Sequence, residues 1–220
     1  MSEILTRDFT NSEKVWEPTL ILAKKIVEKH PYGFLGALVY GHRRVGKSIY
    51  ALKTMQQVFM AYGCEEEEAW RLAMDSMIFD TYELLQVIHE LAKNAKVWPV
   101  LTLDDAGVAA GSMKWFSDRK SVQALNAVFD TMGTVVSCLI LTTPTFQRVL
   151  RFLRDAEDFY RIDVTPLKGW QRKASAYRIK LLPSGTKMIM PKSNPRSGFV
   201  DEFSTYLPKE RFHQYWKKRL

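Results

Sequence analysis

The sequence predicts an α/β fold of three layers, α/β/α, built on a mainly parallel sheet. Three observations predict it. Short, nearly continuous apolar runs recur at 34–40, 97–105 and 135–143, the pattern of strands buried on both faces. Stretches with apolar residues at helical spacing separate them. Polar and charged residues cluster where these runs end, and open parallel sheets bind ligands at the C-terminal ends of their strands.

The elements follow in order. Residues 1–14 read as a loose lead-in, and 17–30 fits a helix with Leu20, Leu22, Ala23, Ile26 and Val27 on one side. Pro18 sits early in it, where the missing N–H costs least, and His30-Pro31 ends it. Residues 34–40 form the first strand. The next helix, 47–62, buries Ile49, Leu52, Met55 and Phe59 and stops at Gly63. Glu65 to Glu68 favour a helix start through the macrodipole. Residues 76–79 suit a short second strand, and Asp80 or Thr81 caps a helix running to about Asn94. The third strand is 97–105, the fourth 135–143 and the fifth 159–164, with helices at 121–132 and 145–157 between them. After the fifth strand the character changes. Residues 174–182 and 187–191 flank Pro183-Ser184-Gly185-Thr186 as a hairpin, with Tyr177, Ile179 and Leu181 on one face and the basic Arg178 and Lys180 on the other. Residues 208–220 form an amphipathic basic helix, with Phe212, Tyr215 and Trp216 on one side. The chain thus divides into 1–164 and a basic appendage, 165–220.

The stretch Gly41-His42-Arg43-Arg44-Val45-Gly46-Lys47-Ser48 lies between the first strand and the second helix, with Ile49 following. It reads G-x-x-x-x-G-K-S, a phosphate-binding loop. Its successive N–H groups point into one concavity that cradles phosphate oxygens, and the helix N-terminus adds partial positive charge. Gly41 and Gly46 permit backbone angles that a Cβ forbids. Lys47 is expected to reach the β- and γ-phosphates, and the Ser48 hydroxyl to bind Mg²⁺.

The third strand ends in Asp104-Asp105. Beside the phosphate-loop strand, Asp104 would serve Mg²⁺ and Asp105 would act as general base or orient the attacking water. The fourth strand ends in Thr142-Thr143, and either hydroxyl suits a sensor of the water or the γ-phosphate. Arg148, Arg151 and Arg154 recur along one side of a helix; Arg148 or Arg151 could serve as a finger reaching a neighbouring subunit's nucleotide. Residues 106–119 read as a loop beside the γ-phosphate, with Trp115 and Phe116 either exposed or folded back on the core.

Bulk properties narrow the classes. The chain has 220 residues, 46% of them hydrophobic, which suits a packed domain and excludes a disordered chain. No apolar run suggests a membrane span and no signal-peptide pattern is present at the N-terminus, so a cytoplasmic location is expected. The two cysteines, Cys64 and Cys138, form neither a disulfide framework nor a metal spacing. The net charge is +8. From Val164 onward there are thirteen Lys/Arg against three Asp/Glu, so the basic excess lies in the last quarter. That asymmetry suggests a polyanion partner, DNA, with Arg172, Lys173, Arg178, Lys180, Lys187, Lys217, Lys218 and Arg219 as candidate contacts.

The succession of phosphate loop, two helices, Asp-Asp strand, Thr-Thr strand, arginine helix and fifth strand resembles the additional-strand P-loop ATPases of the AAA+/RecA-like class. Leu103-Asp104-Asp105-Ala106-Gly107 looks most like the Asp-Asp-x-Gly element of the DnaA/DnaC/IstB branch, which loads helicases or assists transposases. The resemblance covers roughly residues 17–164. It implies a five-stranded sheet of order 5-1-4-3-2, ATP and Mg²⁺ as cofactors, self-association into an oligomer, and hydrolysis. Partners implied are DNA with a helicase, a transposase, or a capsid or transfer protein. The overall style is similar to small ATPases of archaeal viruses and plasmids. Two departures stand out. Asp105 stands where many relatives have Glu, one methylene longer, and a basic hairpin follows 164 in place of a helical lid. Three readings follow: a helicase-loader or replication-initiator ATPase, a DNA-packaging or conjugative-transfer motor, and a nucleotide-gated adaptor with little turnover.

Overall fold

The computed structural model describes residues 7–106, 131–145, 147, 156–181, 184, 187–189 and 198–219. The helices expected at 121–132 and 145–157, and the loop carrying Trp115 and Phe116, lie largely or wholly outside the described residues.

A seven-stranded sheet runs in the order β2-β3-β4-β1-β5-β6-β9. Its first five members are β2 (Met77–Ile78), β3 (Leu101–Leu103), β4 (Cys138–Thr143), β1 (Leu35–Tyr40) and β5 (Phe159–Pro166), all parallel. This is the expected order 5-1-4-3-2 read from the other edge. β1 and β4 are almost wholly buried, which is why both read as continuous apolar runs. Helices α2 (Lys47–Ala61) and α3 (Glu66–Asp75) connect β1 to β2, and α4 (Thr81–Lys93) connects β2 back to β3. The two crossovers travel in opposite directions along the sheet, so right-handed connections put their helices on opposite faces. Asp80 caps α4, its carboxylate accepting from the N–H groups of Tyr82 and Glu83 at 2.8 and 3.1 Å.

The chain after β5 does not stand apart from this sheet. β6 (Gln171–Tyr177) pairs antiparallel with β5, and β9 (Gly198–Ser204) pairs antiparallel with β6. The expected long hairpin strand breaks at Arg178: its first part is β6, and only β7 (Ile179–Leu181) and β8 (Lys187–Ile189) form a separate antiparallel ribbon. Within that ribbon Lys180 pairs with Met188 and Leu181 with Lys187. The final helix, α5, is Lys209–Arg219.

Two expectations near the N-terminus are corrected. The lead-in is docked from Arg7 onward: Phe9 is 1% exposed and packs edge-on to Trp98, 5.1 Å between ring centres, with Phe59 and Tyr62 beside it. A lone Phe among polar residues carries no periodic signal. The first helix, α1 (Ile21–Lys29), starts four residues later than expected from 17. The buried Asp201 on β9 accepts from the N–H groups of Ile21 and Leu22 at 2.7 and 3.2 Å, and so sets where α1 begins.

His30 does end α1, and its ring is held on both sides. Nε2 lies 2.8 Å from the Phe9 carbonyl and Nδ1 2.8 Å from Ser137 Oγ. A carbonyl only accepts, so Nε2 carries the proton and neutral Nδ1 accepts from Ser137. Burial holds the His30 pKa below its ordinary value. A lowered histidine contributes stability above the unfolded value of about 6.5 that is lost as pH falls through it. Urea midpoints at pH 7.5 and 5.5 should therefore drop on acidification, and the drop should shrink in His30→Gln.

Candidate nucleotide site

In a parallel sheet all C-terminal strand ends share one edge. The register sets Tyr40 against Thr143 and Leu103 against Leu141, so the residues that follow β1 and β3 meet there with Thr142 of β4. The phosphate loop turns back from β1 into α2 through three positive φ angles, Gly41 at 144°, Arg44 at 64° and Gly46 at 104°. A Cβ on Gly41 would stand 2.6 Å from the Val164 carbonyl oxygen, and one on Gly46 would stand 2.4 Å from Thr205 Cγ2. Both glycines are therefore required by crowding as well as by angle. His42, Arg43 and Arg44 are exposed on the loop, Val45 is buried, and Gly46 and Ile49 are intermediate.

Lys47 is 7% exposed. Its ammonium donates to the carbonyls of Gly41 and His42 at 3.1 and 2.9 Å, so it lies across the mouth of the loop. Burial lowers its pKa, while the charges of Asp105 and Asp104 push it back up. Ser48 Oγ donates to Asp104 Oδ1 at 2.7 Å, and Thr142 Oγ1 donates to the same oxygen at 2.5 Å. The N–H of Asp105 donates to Thr142 Oγ1 at 2.9 Å. That bond accompanies a left-handed backbone at Asp105, φ 50°, a strain of the kind that recurs at functional sites. Thr143 behaves differently: its hydroxyl donates to the Thr145 carbonyl at 3.1 Å and caps the turn before the next segment. The structure thus joins Lys47, Ser48, Asp104, Asp105 and Thr142 in one cluster, while the Thr143 hydroxyl at the end of β4 serves the turn that follows. Arg148 and Arg151 lie outside the described residues.

The oxygen donors suit Mg²⁺. Among the described residues no group of three or more His, Cys, Asp or Glu side chains is poised for a metal. One hydroxyl and one carboxylate, Ser48 and Asp104, face each other at the loop, and Mg²⁺ is held through few protein oxygens while keeping several waters.

The candidate DNA contacts divide. Arg172 Nε donates to the Val45 carbonyl at 3.0 Å, tying β6 to the phosphate loop. Lys218 donates to the carbonyls of Met74 and Asp75 at 2.7 and 3.0 Å, closing the end of α3. Arg219 donates to Asp105 and, at 2.8 Å, to the Tyr215 hydroxyl. Arg178 stacks 4.2 Å from the centre of the Tyr160 ring. Lys180 and Lys217 are exposed, Lys173 is half-buried, and Lys187 stands on β8.

One site residue was not anticipated. Tyr215 is 6% exposed, and its hydroxyl donates to Asp104 Oδ2 at 2.9 Å. Burial, with the Asp104 charge, pushes its pKa up to about 12, which keeps it a donor. The spacing of Tyr215 and Arg219, four residues on one helix face, was readable. Nothing local says that this face meets the two aspartates.

A phosphate loop after β1, carboxylates after the strand two places away, and the 2-3-4-1-5 order together define a P-loop NTPase fold. Comparison with known proteins adds the following. No family model matches the chain. It is 26% identical over 204 residues to the uncharacterized protein B-251 of Sulfolobus spindle-shape virus 1, covering 91% of this chain and 80% of that one. It is 25% identical over 153 residues to the uncharacterized protein ORF286 of Acidianus two-tailed virus, covering 69% of this chain and 51% of that protein, about half its length. Both relatives are viral. Among solved structures, a KaiC-like protein of Pyrococcus horikoshii aligns with a TM-score of 0.43 at 16% identity, covering 82% of this chain and 100% of that one. Among the described residues no helix is long and apolar enough to cross a membrane.

Proposed function

We propose that this chain binds ATP with Mg²⁺, hydrolyses it, and acts on DNA as a helicase-loader or replication-initiator ATPase that assembles on itself. The observation that carries the nucleotide reading is the Ser48 hydroxyl 2.7 Å from Asp104 at the mouth of a loop crossed by the buried Lys47. The loop N–H groups bind the phosphates and Lys47 neutralises charge on the transferred group. Ser48 and Asp104 would hold the divalent cation, which supplies further charge neutralisation on the phosphates. Asp105 accepts the proton of the water whose oxygen attacks the γ-phosphorus, while the bond to the bridging oxygen breaks and ADP leaves. Thr142 positions both aspartates through its hydroxyl.

The DNA part is supported by the basic excess beyond Val164. Because Arg172, Arg178, Lys218 and Arg219 are engaged within the protein, this reading rests on Lys173, Lys180, Lys187 and Lys217. Self-association would allow Arg148 or Arg151 to serve a neighbouring site. A second reading, a nucleotide-gated adaptor with little turnover, is favoured by one contact: the Asp105 carboxylate is already paired with Arg219.

Turnover should be measured with and without single- and double-stranded DNA at two salt concentrations. Stimulation is expected to fade as salt rises, and Lys180→Glu with Lys187→Glu should lose the stimulation while keeping the DNA-free rate. Equal rates with and without DNA at low salt would remove the DNA reading. Tight ATP binding without turnover would select the adaptor.

A further inference from the structure

We propose that α5 is a latch in cis over the nucleotide site: Tyr215 and Arg219 hold the two carboxylates that catalysis needs, so cation-dependent nucleotide loading and release of the helix are linked. This rests on the ATPase reading above. Asp104 is engaged at both oxygens, with Ser48 and Thr142 on Oδ1 and Tyr215 on Oδ2. The Tyr215 hydroxyl therefore competes for the carboxylate that would hold the cation. Asp105 is paired with the Arg219 guanidinium, and lone pairs engaged there are not open to a water proton. Arg219 also brings a positive charge to the place where a divalent cation would bring two, and like charges at close range repel.

The helix is built to hold and to let go. Lys218 grips the C-terminal carbonyls of α3, and Arg211 pairs with Glu67 at the other end of α3. The Arg219 guanidinium lies 6.0 and 5.7 Å from the Tyr215 and Trp216 ring centres, and Tyr215 rests against Phe79, 6.0 Å between ring centres. These contacts are mostly polar, and Tyr215 is the one buried residue of α5. Undocking therefore draws only one side chain of α5 itself out of burial, uncovers Asp104, and breaks no strand pairing of the sheet. By reciprocity, whatever releasing α5 does for cation and nucleotide affinity, their binding does for release of α5.

The test compares the full chain with Tyr215→Phe, Arg219→Ala and the double variant. Calorimetry reads the binding of a non-hydrolysable ATP analogue across a Mg²⁺ series, and hydrogen exchange reads 209–219. The double variant should reach half-saturation at Mg²⁺ concentrations lower by on the order of tenfold. In the unaltered chain, exchange in α5 should quicken with Mg²⁺ and analogue together and stay slow with either alone. If all proteins bind the analogue with one Mg²⁺ dependence, the latch is wrong and the nucleotide reading stands. If Arg219→Ala lowers turnover while α5 stays protected on loading, Arg219 serves the reaction itself and the latch is again wrong. If no protein, altered or not, binds the analogue, the nucleotide reading fails and takes the latch with it.

Discussion

Lys47→Ala is expected to lower ATP turnover by on the order of 10²–10³, the cost of removing one preorganised charge donor from a phosphoryl-transfer site. Lys47 is 7% exposed, and its ammonium is fixed by two loop carbonyls, Gly41 and His42. That position costs little reorganisation when phosphate arrives, which is why the loss should be large. Burial lowers its pKa, and the charges of Asp105 and Asp104 oppose that lowering. Analogue affinity measured by calorimetry should fall in parallel. The core strands do not depend on Lys47, so the urea midpoint should move little. An unaltered affinity together with unaltered turnover would overturn the nucleotide reading at its centre.

Asp201→Ala is expected to destabilise the fold by about 3 kcal/mol, because it leaves three donors, two of them buried, without their acceptor. Those donors are the N–H groups of Ile21 and Leu22 and the Tyr50 hydroxyl, the last at 2.6 Å. One carboxylate thus fastens α1, α2 and β9 together. Burial raises the Asp201 pKa against the lowering effect of its donors. A raised carboxylate contributes stability that is fully present below the unfolded value of about 3.9 and is lost as pH rises through the folded value. Asp201→Asn keeps an acceptor oxygen and removes that titration. It should cost roughly half as much as alanine and flatten the pH dependence of stability above about pH 4, read as urea midpoints at constant m. A midpoint unmoved by Asp201→Ala would mean that α1 is held by its apolar face alone.

Much of the site was readable because its signals are local. The loop from Gly41 to Ser48 combines glycines at fixed spacing with a strand before and a helix after. Asp104 and Asp105 end an apolar run, and their meeting with Ser48 follows from the parallel order of β1, β4 and β3. The choice between Thr142 and Thr143 was not readable. Neighbouring strand residues point to opposite sides, and the register of β4 against β3 decides which hydroxyl meets Asp104.

The parallel strands β1 to β5, the helices α2 and α4, the phosphate loop and the acidic strand end follow from periodicity and turn chemistry, which act over a few residues; β9 carried no signal that was read. Long-range contacts settled the rest. The residues of β6 were expected to pair with 187–191; they instead close a hairpin with β5 and take β9 on the other edge, which satisfies their backbone groups on both sides. The start of α1 depends on Asp201, 180 positions away from Ile21. The basic end of α5 looked like a surface for a polyanion, and Arg219 instead meets an aspartate 114 positions away. A charged side chain's composition does not state its partner. Coulomb attraction and desolvation are settled only when folding brings the opposite charge within reach.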